Sequence, residues 1–110
     1  MTFEMRDING TAVVALTGDV DLQSSPTVRQ QLLECLEKHK RLVVDLGAVS
    51  YIDSSGVASL VEAFQVSRKK AAYFALASVS PAAMRVLSLA RLDKVFTIHA
   101  DVNAATTAQG

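Results

Sequence analysis

The chain has 110 residues, of which 50% are apolar and 20% are charged, a balance typical of one folded domain. Its 11 basic residues equal its 11 acidic residues in number, so there is no excess of positive charge for binding nucleic acid. The longest apolar runs are far shorter than the ~20 residues of a membrane-spanning helix. The opening MTFEMRDING also lacks the pattern of a secretion signal. We therefore expect a cytoplasmic protein with a single domain over 1–110, no nucleic acid partner and no direct insertion in a membrane.

Strand and helix patterns alternate along the chain. Asn9-Gly10 is a typical two-residue hairpin turn, and Ser25 and Pro26 suit an N-cap and a first helical position. In chain order we predict strands at 2–8 and 11–18, a helix at 26–39, a strand at 41–46, a helix ending in Arg68-Lys69-Lys70, a strand at 72–78, a helix from Pro81, a strand at 94–99, and a short helix or tail over 101–110.

This order predicts an α/β fold. Strands that alternate with helices form mostly parallel sheets with right-handed crossovers, while the opening hairpin makes the first strand antiparallel. The sheet is therefore expected to be mixed, with helices packed against it. Cys35 lies between leucines and is predicted to pack as a small apolar side chain. The core is expected to be led by Val13, Leu16, Leu32, Leu36, Val44, Leu46, Leu60, Phe64, Leu76 and Leu87.

No pattern in the sequence is typical of an enzyme. A phosphate-binding glycine loop, a nucleophile elbow and a spaced set of metal ligands are all missing, so we expect no catalytic residues, no metal and no cofactor, nucleotides included. His39 and His99 are isolated and are predicted to lie on the surface. The basic run Arg68-Lys69-Lys70 is most simply a solvated helix end, with a phosphate or partner contact as the alternative.

The stretch VSYIDSSGVA, residues 49–58, carries more polar residues than a turn from strand to helix requires. Asp53 or Ser54 would suffice as the N-cap. Gly56 costs about 1 kcal/mol relative to Ala inside a helix, and its missing side chain allows another backbone or chain to approach closely. Free amides at a helix start can also hold a phosphate on Ser54. The pattern therefore allows a plain structural turn or an accessible hydroxyl that can be modified.

Three segments of the chain resemble the STAS domain family, and most closely its bacterial anti-sigma factor antagonists. They are LTGDVDL before the first predicted helix, VVDLGAVSYIDSSGVASL in the centre, and SVSPAAMRVLSLARLDKVFTI in the last third. The central segment is fairly specific, and the other two match in position and order. Together they extend the resemblance over nearly the whole chain.

The resemblance implies a protein-binding switch. In this family an unmodified antagonist binds an anti-sigma factor that is also a serine kinase, and the sigma factor is released. The kinase then phosphorylates the hydroxyl that follows the motif's Asp, which ends binding, and a phosphatase reverses the reaction. That position is Ser54 here. The implied partner-binding residues are Asp21, Asp53, Ser54, Ser55 and Gly56, with no phosphorylation assigned to Ser55.

The chain departs from the family pattern in two places. Ala58 stands where antagonists commonly carry a second glycine, and KKAAYF replaces a glycine turn before the next strand. STAS subunits of bacterial phospholipid ABC transporters, which bind an ATPase without such a switch, tend to have Ala at the first of these positions. A transporter accessory subunit and a signalling scaffold of the stressosome kind therefore remain as alternatives.

Overall fold

A computed structural model describes residues 1–108 as one α/β fold of five strands and four α-helices. Helix α2 is the longest helix, with 16 residues. In chain order the elements are β1 (Thr2–Ile8), β2 (Thr11–Val20), α1 (Ser25–Lys38), β3 (Arg41–Ile52), α2 (Ser54–Lys69), β4 (Tyr73–Ala77), α3 (Pro81–Leu89), a 3-10 turn (Leu92–Lys94), β5 (Ile98–His99) and α4 (Val102–Thr107).

The five strands form one mixed sheet in the order β1-β2-β3-β4-β5. Strand β1 is antiparallel to β2, and the remaining neighbours are parallel, which confirms the predicted fold class. Asn9 and Gly10 have φ angles of 52° and 89°, the left-handed pair that a tight hairpin turn requires. The amide of Gly10 also donates to Asp7 Oδ1 at 3.0 Å, which closes the turn.

The two faces of the sheet are covered unequally. Alternate residues of a strand point to opposite faces, so Val14 of β2 faces the large core beneath α1, α2 and α3, and Val13 faces the other side. There α4 covers a smaller cluster with Ala105. All the predicted core residues are buried except Phe64, which is half-buried against the large core. Cys35 is buried as predicted, and burial raises the pKa of its thiol.

Several predicted boundaries were wrong, including those of β2, which was expected at 11–18 and ends at Val20, and of β4, which is one residue shorter at each end than the expected 72–78. Helix α1 starts one residue earlier than expected, with Ser24 and not Ser25 at the N-cap. The strand predicted at 41–46 continues to Ile52, because its pairing with β2 resumes after two register shifts. The strand predicted at 94–99 shrinks to Ile98–His99. The carbonyl of Leu92 accepts the amides of Val95 and Phe96, both at 3.0 Å, which turns that backbone away from the sheet.

Both histidines are less exposed than predicted. The side chain of His39 is 14% exposed, and its Nε2 lies 2.9 Å from Asp7 Oδ2, so it connects the end of α1 to the first hairpin. Half-buried His99 places Nε2 3.1 Å from the hydroxyl of Tyr73. These contacts give both rings a place in the packing of the fold.

Two further sequence expectations concern the later part of the chain. The KKAAYF segment makes its turn without glycine, because Ala71 itself adopts a left-handed φ of 53°. Of the predicted tail over 101–110, Val102–Thr107 is helical, and 109–110 lie outside the described residues. Within 1–108, no helix combines the length and apolar character needed to cross a membrane.

Candidate functional site

Two loops lie side by side at one edge of the sheet, where β2 and β3 end. Val20 pairs with Ile52 in the last register position of these parallel strands. The amide of Asp53 then donates to the carbonyl of Val20 at 3.1 Å. Since the carboxyl ends of parallel strands meet at the same edge, the β2–α1 loop that begins at Asp21 adjoins the start of α2. The predicted site residues are thereby brought together.

Asp53 is the N-cap of α2. Its backbone is extended, its Oδ1 accepts the amide of Gly56 at 3.0 Å, and its carbonyl accepts the amide of Val57 at 2.9 Å. Of the two caps that the sequence allows, Asp53 and Ser54, the structure has Asp53. The carboxylate of Asp53 is therefore already engaged in holding the first turn of its own helix.

Ser54 and Ser55 occupy the first two positions of α2 and differ in exposure. Ser54 is exposed, whereas Ser55 is half-buried and lines a shallow groove against Pro26 and Arg29 of α1. Of the amides at the helix start, those of Asp53 and Gly56 have partners, as given above. The amides of Ser54 and Ser55 have none within residues 1–108. The turn therefore presents a free hydroxyl beside two free N–H groups.

Gly56 is buried, and a side chain there would collide with the fold itself. A Cβ at this position would lie 2.6 Å from the carbonyl oxygen of Val20 and 2.7 Å from Cγ1 of Ile52. The backbone that approaches Gly56 is thus that of β2 in the same chain. Gly56 therefore has an internal packing role, which allows the two loops to adjoin, and its contact with a partner stays a prediction.

Asp21 organises the β2–α1 loop. Its Oδ1 accepts the amides of Ser24 and Gln23, each at 3.1 Å, and the hydroxyl of Ser24 at 3.2 Å. In return, the amide of Asp21 donates to Ser24 Oγ at 2.9 Å. The amide of Ser24 is the main reason that the pKa of the Asp21 carboxyl lies below its ordinary value. Asp21 is therefore ionised at neutral pH next to the start of α2.

Sequence reasoning missed two exposed apolar residues near these loops. The side chain of Leu22, within the β2–α1 loop, is 71% exposed, and that of Tyr51, near the end of β3, is 51% exposed. Large apolar side chains exposed beside a polar site are typical of contact surfaces. For Tyr51 the sequence carried no simple signal, because the register shifts between β2 and β3 interrupt the alternation of side chains and leave both Val49 and Ile52 in the core.

Neither a metal site nor the basic run of α2 lies at this edge of the sheet in the described part of the chain. No group of three His, Cys, Asp or Glu side chains within 1–108 is placed to hold a metal ion. The basic run Arg68-Lys69-Lys70 is exposed at the far end of α2, as predicted. The site at the start of α2 is therefore a surface of hydroxyl, carboxylate and apolar groups, suited to contact with another macromolecule.

Comparison with known proteins confirms the resemblance inferred from the sequence. The model of the STAS domain family matches residues 2–105. The anti-sigma F factor antagonist of Paenibacillus polymyxa is 28% identical over 109 residues, which cover 96% of this chain and 93% of that protein. The crystal structure of an anti-sigma factor antagonist from Mycobacterium paratuberculosis is 28% identical with a TM-score of 0.86, and the match covers 96% and 91% of the two chains. The phosphorylated form of the Bacillus cell fate determinant SpoIIAA shares the fold, with 19% identity, a TM-score of 0.76 and 96% of both chains covered.

Proposed function

The chain belongs to the STAS domain family, and on that premise we propose that it is an anti-sigma factor antagonist controlled by phosphorylation of Ser54. The unmodified protein binds an anti-sigma factor with serine kinase activity and thereby releases a sigma factor. The kinase phosphorylates Ser54, binding ends, and a phosphatase restores the active form. The observation that carries the proposal is the exposed Ser54 hydroxyl at the start of α2, next to the Asp21 loop. The names of the relatives at 28% identity support the same function.

Ser54 is the better substrate of the two neighbouring serines. A kinase must reach the hydroxyl with its own active site, and Ser54 is exposed while Ser55 is turned toward α1. The carbonyl of Ser55 also accepts the hydroxyl of Ser59 at 3.2 Å, which fixes the backbone there within the packed helix pair. We therefore assign phosphorylation to Ser54 and a structural role in the first turn to Ser55.

The first turn of α2 can accommodate a phosphate without unfolding. A phosphoserine adds about −1.5 to −2 charges at neutral pH. The partly positive end of the helix and the free amides of Ser54 and Ser55 attract such an anion. The modification therefore leaves the fold intact and changes only what the surface presents.

The same charge is sufficient to end binding. If a partner carboxylate lies roughly 5 Å from the phosphate at an effective dielectric constant of about 20, each added unit of charge costs about 3 kcal/mol. That corresponds to a loss of more than about a hundredfold in affinity. Asp21 and Asp53 already make this edge of the sheet acidic, so the phosphate strengthens an existing negative field. Repulsion at the surface thus accounts for the switch.

Leu22 and Tyr51 extend the proposed contact surface beyond the charged groups. Hot spots of protein interfaces are commonly large side chains that become buried in a pocket of the partner. Both side chains are exposed in or next to the two loops and are not part of the buried core. We assign the affinity of the unmodified protein largely to these two anchors, and the control of that affinity to Ser54.

The test is phosphorylation in vitro by an ATP-binding anti-sigma factor from the same genome. The purified chain is incubated with that protein and ATP, and the phosphate is located by mass spectrometry. We expect it on Ser54, with no phosphate on a Ser54→Ala variant and normal phosphorylation of Ser55→Ala, the matched neighbouring control. The Ser54→Ala variant should still bind the anti-sigma factor.

Two outcomes would contradict the proposal. Phosphate on Ser55 alone would overturn the assignment of the residue. If no candidate kinase modifies the chain, while it binds the ATPase subunit of a phospholipid transporter tightly, the function is that of a transporter accessory subunit.

A further inference from the structure

A second recess lies at the opposite end of α2 from Ser54. This aromatic groove is an open recess of about 550 Å³ between the last two turns of α2 and the 3-10 turn, with Val61, Phe64, Leu92, Val95 and Phe96 as its apolar lining. Ligand sites commonly have volumes of about 300–1,000 Å³ and mostly apolar walls. The size and lining of the groove therefore match a small-molecule site.

The floor and wall of the aromatic groove are held firmly. The rings of Phe64 and Phe96 meet edge to face at 5.4 Å between centroids, and Phe74 of β4 braces both, at 6.1 and 6.0 Å. The wall is fixed because Leu92 accepts the amides of Val95 and Phe96. Val95 is nevertheless 51% exposed, so apolar surface remains open to a ligand. The groove is thus formed before anything binds.

The polar lining of the aromatic groove consists of Gln65, Arg68 and Lys69, without a carboxylate. The guanidinium of Arg68 lies 5.7 Å above the ring of Phe64, which holds one positive charge next to the apolar floor. Within 1–108, neither Arg68 nor Lys69 forms a salt bridge. The charge of the groove therefore complements an anion.

The shape of the aromatic groove favours an alkyl chain over a flat ring. Phe64 and Phe96 stand at 84° to each other, so they offer no pair of parallel faces between which a ring could stack. A second copy of this chain is also a poor occupant. A two-fold dimer through this groove would bring two copies of the same basic patch together, and like charges repel. A flexible alkyl chain with one acidic end fits both the apolar walls and the positive charges of the groove.

We propose that the aromatic groove binds a medium-chain alkyl carboxylate. The chain packs on Phe64, Val95 and Phe96, and the carboxylate pairs with Arg68 and Lys69. The proposal does not rest on the phosphorylation switch, because every lining residue lies away from Ser54, in 61–69 of α2 or in 92–96.

The experiment is an NMR titration of the isotope-labelled chain with decanoate, kept below its micelle-forming concentration. We expect saturable shifts confined to the amides of 61–69 and 92–96. Acetate, which lacks the chain, and decanol, which lacks the charge, should each bind at least about tenfold more weakly. Equal binding of decanol, or shifts that spread over the surface without saturating, would overturn the proposal.

Three variants test the assignment of residues. Lys69→Gln should weaken decanoate binding by roughly three- to tenfold. Lys38→Gln, which changes the basic residue in the last turn of α1, should leave it unchanged. Val95→Glu places a carboxylate on an exposed wall of the groove and should abolish binding while the rest of the spectrum is preserved. If the chain is instead a dimer that Val95→Glu dissociates, the groove is an interface between copies and the proposal fails.

Discussion

The two loops at the carboxyl edge of the sheet contain the same hydrogen-bonding motif but start their helices differently. In each, an aspartate directly after a strand accepts the amide three residues later, Ser24 for Asp21 and Gly56 for Asp53. Asp21 closes a loop that precedes its helix, and the N-cap Ser24 makes no side-chain bond to that helix. Asp53 is itself the N-cap, so the helix begins at once and its first residue, Ser54, is left exposed.

The comparison shows how a modifiable hydroxyl is kept available. In the β2–α1 loop the serine hydroxyl is consumed, since Ser24 Oγ bonds to Asp21 and to the carbonyl of Asp19. In the β3–α2 loop the carboxylate of Asp53 does the capping, and the hydroxyl of Ser54 is not needed for it. Because Asp53 provides the cap, the turn is stable without the hydroxyl of Ser54, which remains available for modification.

The largest expected effect comes from filling the space at Gly56. Gly56→Ala places a Cβ 2.6 Å from the carbonyl oxygen of Val20, a backbone atom that cannot move without disturbing the β2–β3 pairing. We expect a loss of about 1–3 kcal/mol in the free energy of unfolding, measured by urea denaturation. Ser55→Ala, one residue earlier, is the matched control and should change it by less than about 0.5 kcal/mol. A neutral Gly56→Ala would mean that the two loops do not adjoin as closely as the structure has them.

Asp53→Ala is expected to have the next largest effect. Removal of an N-cap carboxylate typically costs about 0.5–2 kcal/mol, and here it leaves the amide of Gly56 without its partner. Asp53→Asn, which preserves an acceptor, should retain most of the stability in the same urea denaturation. If Asp53→Ala and Asp53→Asn were equally destabilised, the carboxylate would act through its charge and not as a cap.

The sequence predicted the fold class and the start of the site because both depend on local patterns. The Asn9-Gly10 turn and the helical spacing of Val28, Leu32 and Leu36 are contained within short windows, and all were found as predicted. For the same reason, the sequence limits the N-cap of α2 to Asp53 or Ser54. Periodicity and turn chemistry act over a few residues, so they are visible without the tertiary structure.

Two of the features that were missed depend on distant partners. The extension of β3 to Ile52 results from pairing with β2, about 30 residues earlier in the chain. Gly56 was predicted to admit another backbone or chain, but nothing nearby in the sequence shows that this backbone is that of Val20. The pairing of β3 and the packing at Gly56 therefore require the folded structure. The error at 94–99 is local instead, because the carbonyl of Leu92 accepts the amides of Val95 and Phe96, which turns that part of the predicted strand away from the sheet.

The pH dependence of stability tests the role of Asp21, with a smaller expected effect. The pKa of Asp21 is lowered in the folded state, chiefly by the amide of Ser24. Its ionised form therefore stabilises the fold above about pH 4, and this contribution is lost as the pH falls through the lowered pKa. Asp21→Asn should be less stable than the parent at neutral pH and should approach it near pH 2, in urea denaturations at both values. A constant difference across that range would contradict this role of Asp21.

The smallest stability effect, and the one that separates fold from function, is expected for Ser54→Asp. A negative charge at the first position of α2 interacts favourably with the helix dipole, so the variant should be about 0.3–1 kcal/mol more stable at low salt. Its affinity for the anti-sigma factor should fall, though less than after phosphorylation, because Asp adds one charge where a phosphate adds nearly two. Thr27→Asp puts the same charge into the exposed first turn of α1 and is the matched control for the dipole term. Thermal unfolding and calorimetric titration of all three proteins provide both readouts. If Ser54→Asp lowers both the stability and the affinity, the loss of binding reflects a damaged fold. Higher stability with lower affinity identifies a switch at the surface.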